Sequence, residues 1–154
     1  MKNKSPNKII IYAGGLFERY GIRELIEAFI RLEDRAARLH LYGVGLMVDE
    51  IEVYSSKDSR IVYKGMVPNE IVVEDQLRAT LLVNPRPTFA EYTKYSFPSK
   101  NMEYMVSGTP TLTTVMPGMP EEYKKYVYLI EEESTEGIYK VLIEILSQSP
   151  NKLH

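Results

Sequence analysis

The 154-residue sequence contains no cysteine and only two histidines, His40 and His154. Without cysteine the chain has neither a disulfide framework nor thiolate chemistry, which fits a reducing compartment. The histidines belong to no ligand-spaced cluster, so we expect no metal site. A serine–histidine–acid relay has no suitable histidine either, and no catalytic dyad stands out, so the catalytic residues remain unknown at this stage.

Long apolar runs and an excess of one charge are also missing. No run approaches the length that crosses a bilayer, so we do not expect the chain itself to span a membrane, although peripheral attachment stays open. The 19 basic and 21 acidic residues give a net charge of -2 and are scattered along the chain. This balance leaves no broad basic surface for nucleic acid, so any anion site must be local.

Short apolar runs alternate with segments of helical periodicity along the chain. Because the runs are continuous and do not alternate with polar residues, they predict a parallel sheet covered on both faces. We therefore predict an α/β fold, a doubly wound, Rossmann-like sheet of about six strands with helices on both faces. The predicted strands are 9–13, 39–42, 61–63, 81–84, 111–114 and 127–130, and the predicted helices are 22–30, 46–54, 69–80, 98–107, 121–126 and 134–147. Asn69 is the predicted N-cap of the helix 69–80.

This length suits one domain, which we place at 9–147 between a polar leader, 1–8, and a tail, 148–154. In a doubly wound sheet, ligands bind beyond the carboxyl ends of the strands, near the switch in strand order. The loops that follow the strands are therefore the candidate functional loops.

The most informative of these segments surrounds Lys100 and Glu103, near the start of a predicted helix that Gly108 ends. A helix N-terminus carries unpaired N–H groups and a partial positive charge, so a lysine there is misplaced unless it faces an anion. Lys100 and Glu103 share a helix face, where Lys100 can meet a phosphate and Glu103 can accept hydrogen bonds from a hydroxylated ring. The alternative is a surface ion pair on an ordinary helix.

Two other loops carry candidate ligand-binding features. Gly14 and Gly15 follow the first strand and allow close approach of a ligand to the backbone. Gly21 lies too far away for the dinucleotide fingerprint, and no Walker lysine follows. Arg19 is either a phosphate contact or a solvated loop arginine. The long loop 85–97 is rich in tyrosine and charge, which suits a sugar or a base, or else it is a lid over apolar surface. Together these features predict an anion-binding domain whose ligand carries phosphate and hydroxyl groups.

The sequence resembles the C-terminal, nucleotide-sugar-binding domain of GT-B glycosyltransferases in the large retaining group called group 1 or family 4. The resemblance covers about 9–145. Its strongest motif is Phe97-Pro98-Ser99-Lys100, with Glu103-Tyr104-Met105 and Ser107-Gly108-Thr109-Pro110. The other matching segments, in the expected order, are 12–16, 21–22, 25–29, 41–45, 62–67 and 82–86.

The resemblance implies a role in donor binding for particular residues. Glu103 takes the place of the glutamate that binds the donor ribose, and Tyr95 stands where the family has a second acid, for which Glu91 is a substitute. Gly15 and Tyr20 stand where the family often has an arginine and a lysine that hold the diphosphate; Arg19 and Lys100 are the proposed replacements. Backbone 64–67 resembles the base-binding edge, and 116–121 resembles a loop offering amides to the diphosphate. The predicted donor-binding residues are Gly14, Gly15, Arg19, Lys64, Gly65, Tyr95, Ser96, Phe97, Ser99, Lys100 and Glu103.

The resemblance also implies a larger parent enzyme. GT-B enzymes bind the acceptor mainly through an N-terminal domain, which this chain lacks. The parent would be a hexosyltransferase that transfers a sugar from a UDP- or GDP-sugar to a glycan, lipid or other acceptor in polysaccharide biosynthesis. It would need no metal or other cofactor and would act in the cytoplasm or at the inner face of the membrane. The fragment alone is expected to bind nucleotide without turnover. The alternatives are a non-catalytic binding or assembly module and a sugar-nucleotide epimerase.

Overall fold

The computed structural model describes residues 8–87, 108–114 and 127–147. These residues form six strands, four α-helices and one 3-10 turn, and the element counts below refer to them alone. The strands are β1 Lys8–Ala13, β2 Ala37–Tyr42, β3 Ile61–Gly65, β4 Leu81–Asn84, β5 Thr111–Thr114 and β6 Tyr128–Ile130. The helices are α1 Ile22–Ile30, α2 Val48–Lys57, α3 Asn69–Arg78 and α4 Thr135–Leu146, and the 3-10 turn is Glu18–Tyr20.

All six strands are parallel and lie in the order β3-β2-β1-β4-β5-β6. Strand β1 pairs with both β2 and β4, so that Ile10 lies opposite Leu39 on one side and Leu81 on the other. The chain therefore reverses its direction of winding between β1 and β4, which is the topological switch point of a doubly wound sheet. The predicted Rossmann-like α/β fold is confirmed.

Apolar side chains cover both faces of the sheet. Successive strand residues point to opposite faces, so Ile10 and Ile11 enter different cores, and both are fully buried. The larger core joins the sheet to α1, α2 and α4; its fully buried helix residues include Phe29, Ile51 and Leu142. The smaller core lies on the other face, where Val72 of α3 packs. Because helices cover both faces of the sheet, most strand residues on either face are apolar.

Some helix boundaries differ from those predicted. Helix α2 begins at Val48, two residues later than predicted, because the preceding residues hydrogen bond to the loop after β1. Asn69 does not cap α3: Pro68 holds that position with an extended backbone, and its carbonyl accepts the Ile71 and Val72 N–H groups. Ser134 does cap α4, since its Oγ accepts the Gly137 N–H at 3.1 Å.

Several sequence predictions lie outside the described residues, namely the helices 98–107 and 121–126 and the tail. Gly108, which is described, has a φ of 77°, the left-handed conformation that suits a glycine ending a helix. Strand β1 begins at Lys8, whose Nζ donates to Asp34 Oδ2 at 2.6 Å. Within the three described ranges, no helix combines the length and apolarity needed to cross a membrane.

Candidate functional site

A cavity of about 580 Å3 opens beyond the carboxyl ends of β1, β2 and β3. This is the edge at which doubly wound sheets bind their ligands. The cavity is bounded by the three loops that leave these strands and by the start of α3. Its described lining residues are Ala13, Gly14, Gly15, Phe17, Tyr42, Gly43, Val44, Gly65, Met66, Val67, Asn69 and Val72.

Hydrogen bonds between backbone groups join these three loops. The Gly14 N–H donates to the Tyr42 carbonyl at 3.1 Å, and the Gly43 N–H donates to the Gly65 carbonyl at 3.0 Å. The Leu16 N–H donates to the Val44 carbonyl at 3.0 Å, so the loop after β1 continues the pairing of the sheet. The cavity wall is therefore a preformed backbone surface, which suits binding through main-chain groups.

Gly43 makes this close packing of the loops feasible. Its φ is 125°, and a Cβ placed there would collide with the carbonyl oxygen of Gly14. Only glycine combines that backbone conformation with such an approach. The loops after β1 and β2 thus meet at a position where no residue other than glycine fits.

Tyr42 forms a buried, neutral part of the cavity wall. Its side chain is 3% exposed, and its hydroxyl donates to Asp75 Oδ2 of α3 at 2.5 Å. Burial raises the pKa of Tyr42 well above its usual value, and the Asp75 carboxylate raises it further. His40 lies two residues earlier on β2; burial, with help from the Lys64 charge, lowers its pKa to about 4. Both side chains are therefore uncharged at neutral pH.

The described lining residues include no cationic side chain. They are glycines, apolar side chains, the Tyr42 ring and the Asn69 amide, and Met66 is 72% exposed at the rim. Such a surface suits a flat, uncharged group that stacks on apolar atoms and hydrogen bonds to the backbone. Among the residues that the structure describes, the cations for an anionic ligand lie beside the cavity.

Cationic side chains lie on the β4 side of the loop that follows β1. The Arg19 guanidinium lies 4.8 Å from the Phe17 ring and 4.9 Å from the Tyr20 ring. Arg86, two residues after β4, lies 4.2 Å from the Tyr20 ring. A Cβ at Gly15 would lie 2.9 Å from both the Phe17 and Tyr20 rings, so the aromatic pair occupies the space that a side chain at position 15 would need.

The structure places five of the predicted site residues. Gly14, Gly15 and Gly65 line the cavity, and they come together from two strands that are separated by β2 in the sheet. Arg19 is exposed and lines a second cavity of about 270 Å3 on the β4 side. Lys64 is exposed and is not part of the cavity lining. The remaining predicted residues lie outside the described ranges: Tyr95, Ser96, Phe97, Ser99, Lys100 and Glu103.

Sequence reasoning assigned no ligand-binding role to Tyr42 or Asn69, and it included Arg86 only as part of the candidate loop 85–97. Tyr42 ends β2 and Arg86 lies two residues after β4, and this position at a strand end is the signal that could have identified both. Asn69 was predicted as a helix cap, yet it lines the cavity from the first helical residue of α3. The described residues contain no group of three or more acidic or histidine side chains placed to hold a metal ion.

The opposite edge of the sheet carries a third cavity, of about 440 Å3. Here Arg60 pairs with Asp58 at 2.7 Å and donates to the backbone carbonyls of Leu32 and Asp34. The Arg60 guanidinium holds the pKa of the Asp58 carboxyl below its usual value. This arrangement ties the loops before β2 and β3 together, so Arg60 has a structural explanation.

Comparison with known proteins gives a family and a fold. The family model described as "Glycosyl transferases group 1" matches residues 7–148. No curated protein sequence matches the chain. Solved structures of similar fold include WaaG, a glycosyltransferase involved in lipopolysaccharide biosynthesis, which is 24% identical with a TM-score of 0.77. The alignment covers 97% of this chain and 40% of the WaaG chain.

Two further structures share the fold. The C-terminal domain of LpcC, a group 1 family glycosyl transferase from Francisella tularensis, is 20% identical with a TM-score of 0.73; the alignment covers 98% of this chain and 80% of that one. HepE from Anabaena, in complex with UDP-glucose, is 14% identical with a TM-score of 0.66, over 92% of this chain and 40% of HepE. The chain thus spans about two fifths of the WaaG and HepE chains.

Proposed function

This chain belongs to the group 1 glycosyl transferases, and we propose that it is the donor-binding domain of one, holding the nucleoside diphosphate of a nucleotide sugar. The observation that carries the proposal is the position of an uncharged, backbone-lined cavity directly beside an arginine-bearing loop, at the carboxyl edge of the sheet. A nucleoside diphosphate has the matching pattern, an uncharged base at one end and an anion at the other.

The cavity binds one end of the ligand, and the loop after β1 binds the other end. The base lies in the cavity, against the backbone of 65–67 and the Asn69 amide, where apolar atoms and main-chain groups provide stacking and hydrogen bonds. The diphosphate lies toward the β1–β4 switch, where Arg19 supplies positive charge and Gly14 and Gly15 allow close approach of the backbone. HepE, which has this fold, has been solved with UDP-glucose, and that supports a nucleotide sugar as the ligand.

Residues outside the described ranges complete the proposed site. On the strength of the family resemblance, Glu103 binds the ribose hydroxyls and Lys100 the diphosphate. The same resemblance assigns Tyr95, Ser96, Phe97 and Ser99 to the donor site. Carboxylates form strong hydrogen bonds with hydroxyl groups, and lysine binds phosphate as a point charge, so each residue type suits its partner.

The proposal extends to a parent enzyme with two domains. Because the chain spans two fifths of WaaG, we propose that the acceptor is bound mainly by a separate N-terminal domain. The parent then transfers a hexose with retention to a glycan, lipid or other acceptor in polysaccharide biosynthesis, in the cytoplasm or at the inner membrane face. It uses the nucleotide sugar as substrate and needs no cofactor. The domain alone binds donor without transferring its sugar.

Titration calorimetry with a nucleotide panel tests this function. We expect the chain to bind UDP or GDP with a Kd between about 10 μM and 1 mM, and to show a clear preference for that base over ADP. UDP-glucose incubated with the domain alone should remain intact when followed by proton NMR. Binding of ADP as tightly as UDP and GDP, or the absence of binding to all three at millimolar concentration, would refute a donor-selective site.

A further inference from the structure

Arg86 and Arg19 lie over the same aromatic ring at the switch point of the sheet. Arg19 belongs to the 3-10 turn after β1, and Arg86 follows β4, the strand next to β1. Their guanidinium carbons lie 4.9 Å and 4.2 Å from the centre of the Tyr20 ring. Tyr20 thus contacts two cationic side chains, Arg19 and Arg86, which are 67 residues apart in sequence (86 − 19) and adjacent in space.

The backbone of Arg86 and of the residue before it is held by contacts with neighbouring elements. Its carbonyl accepts the Thr114 Oγ1 hydroxyl of β5 at 2.6 Å. The preceding residue, Pro85, is buried, and its carbonyl contacts Gly21, so tightly that a Cβ at Gly21 would collide with it. Tyr20 in turn packs against the main core. Contacts with β5 and with the loop after β1 therefore hold Arg86 in place beyond the end of β4.

Neighbouring ion pairs also fix the turn that carries Arg19. Glu18 accepts from Arg23 Nη1 at 2.6 Å, and Arg23 donates to both carboxylate oxygens of Glu50 of α2 at 2.7 and 2.8 Å. Glu18, the acid beside Arg19 in sequence, is thereby paired with Arg23 of α1, and it lines the second cavity together with Arg19. These ion pairs join the 3-10 turn to α1 and, through Arg23, to α2.

A fixed guanidinium at this place is suited to a phosphate group. Its planar fork can donate two parallel hydrogen bonds to phosphate oxygens, and a side chain held in advance loses less entropy on binding. A Cβ at Gly15 would crowd the Phe17 and Tyr20 rings at 2.9 Å, and glycine itself brings no cation to that position. Arg19 brings one cation to this edge from the loop after β1, and Arg86 brings a second from the neighbouring strand, β4.

We propose that Arg86 binds the diphosphate of the nucleotide together with Arg19, and that Tyr20 is the positioning residue that holds both guanidinium groups. This inference rests on the proposed function, because it assigns a residue within the same site. It extends the site across the switch, from the cavity beyond β1, β2 and β3 to the end of β4.

The test compares UDP with uridine, and GDP with guanosine, by NMR titration of the wild-type chain and the variants Arg86→Gln and Arg86→Lys. For the base that the wild type binds, we expect Arg86→Gln to weaken diphosphate binding about tenfold and to leave nucleoside binding within about twofold, since only the diphosphate contacts Arg86. Arg86→Lys should lose about threefold, because it keeps the charge and loses the fork.

Two controls separate phosphate binding from packing. Arg31 also lies over a tyrosine, Tyr139, at 4.1 Å, but it follows α1 and lies outside the cavity lining, so Arg31→Gln should change neither affinity. Tyr20→Phe keeps the ring and loses only the hydroxyl that accepts from Arg19 Nη2 at 3.5 Å, so it should bind the diphosphate within about twofold of the wild type, whereas Tyr20→Leu should lose diphosphate affinity as Arg86→Gln does.

Distinct results would overturn the inference. Unchanged diphosphate affinity in Arg86→Gln, or an equal loss of diphosphate and nucleoside affinity, would show that Arg86 only packs against Tyr20. A wild-type chain that binds neither UDP nor GDP would overturn the proposed function itself, and the role of Arg86 with it.

Discussion

Replacing Gly43 with alanine is expected to destabilise the domain by about 4 kcal/mol, which is a large share of the stability of a domain of this size. Two costs combine at this position. The φ of 125° is a conformation that alanine rarely adopts, and the new methyl group would collide with the Gly14 carbonyl oxygen. Relief requires the loops after β1 and β2 to move apart, which breaks the wall of the cavity.

Gly65→Ala is the matched control for this prediction. Gly65 also has a positive φ, 76°, but the nearest atoms to a Cβ there belong to the Tyr63 ring at 4.0 Å. Only the conformational penalty applies, so we expect a loss of about 1 kcal/mol. Urea unfolding followed by circular dichroism measures both variants. Equal losses in the two would show that the contact between Gly43 and Gly14 does not constrain the fold.

Replacing Glu103 with alanine is expected to produce the largest loss of ligand affinity, about 100-fold for UDP or GDP. The role proposed for this carboxylate, on the strength of the family resemblance, is to accept hydrogen bonds from the ribose hydroxyls. Hydrogen bonds to a charged group contribute more than neutral ones, and truncation leaves the hydroxyls without those acceptors. Glu103→Gln keeps the shape and one acceptor oxygen, so an intermediate loss of about tenfold should follow.

The affinities are measured by calorimetry against Glu144→Ala, which removes an exposed carboxylate from α4 without touching the cavity lining. That control should bind as the wild type does. The 2′-deoxy nucleotide supplies a second comparison, because the wild type should discriminate against it and Glu103→Ala should not. A Glu103→Ala variant with unchanged affinity would remove the ribose-binding role.

The strands could be predicted from the sequence because their own residues and the residues next to them define where they begin and end. Strands β4 and β5 match their predicted bounds, since each is a short apolar or β-branched run that the sequence follows with proline or with a segment rich in proline and glycine. The α/β class followed from the alternation of strands and helices. The N-cap of α3 was predicted wrongly. Asn69 is a residue type that often caps helices, but Pro68 precedes it and already holds the extended conformation required of a cap.

Less of the site could be predicted from the sequence, because its residues contact partners that are distant along the chain. Gly14, Gly15 and Gly65 could be predicted since glycines at strand ends are visible in the sequence. The hydrogen bond from Tyr42 to Asp75 joins residues 33 apart, and the contact of Arg86 with Tyr20 joins a strand end to a distant turn. Such pairs depend on the strand order β3-β2-β1-β4-β5-β6, which periodicity does not specify.

The central claim, that the carboxyl edge of the sheet binds a nucleoside diphosphate, is tested most directly by NMR. Backbone amide signals of the 15N-labelled chain are followed as UDP or GDP is added. We predict saturable shifts at Gly14, Gly15, Gly43 and Gly65, and none at Ser59, which lines the cavity at the opposite edge. Shifts concentrated around Ser59, or no shifts with either nucleotide at millimolar concentration, would contradict the account.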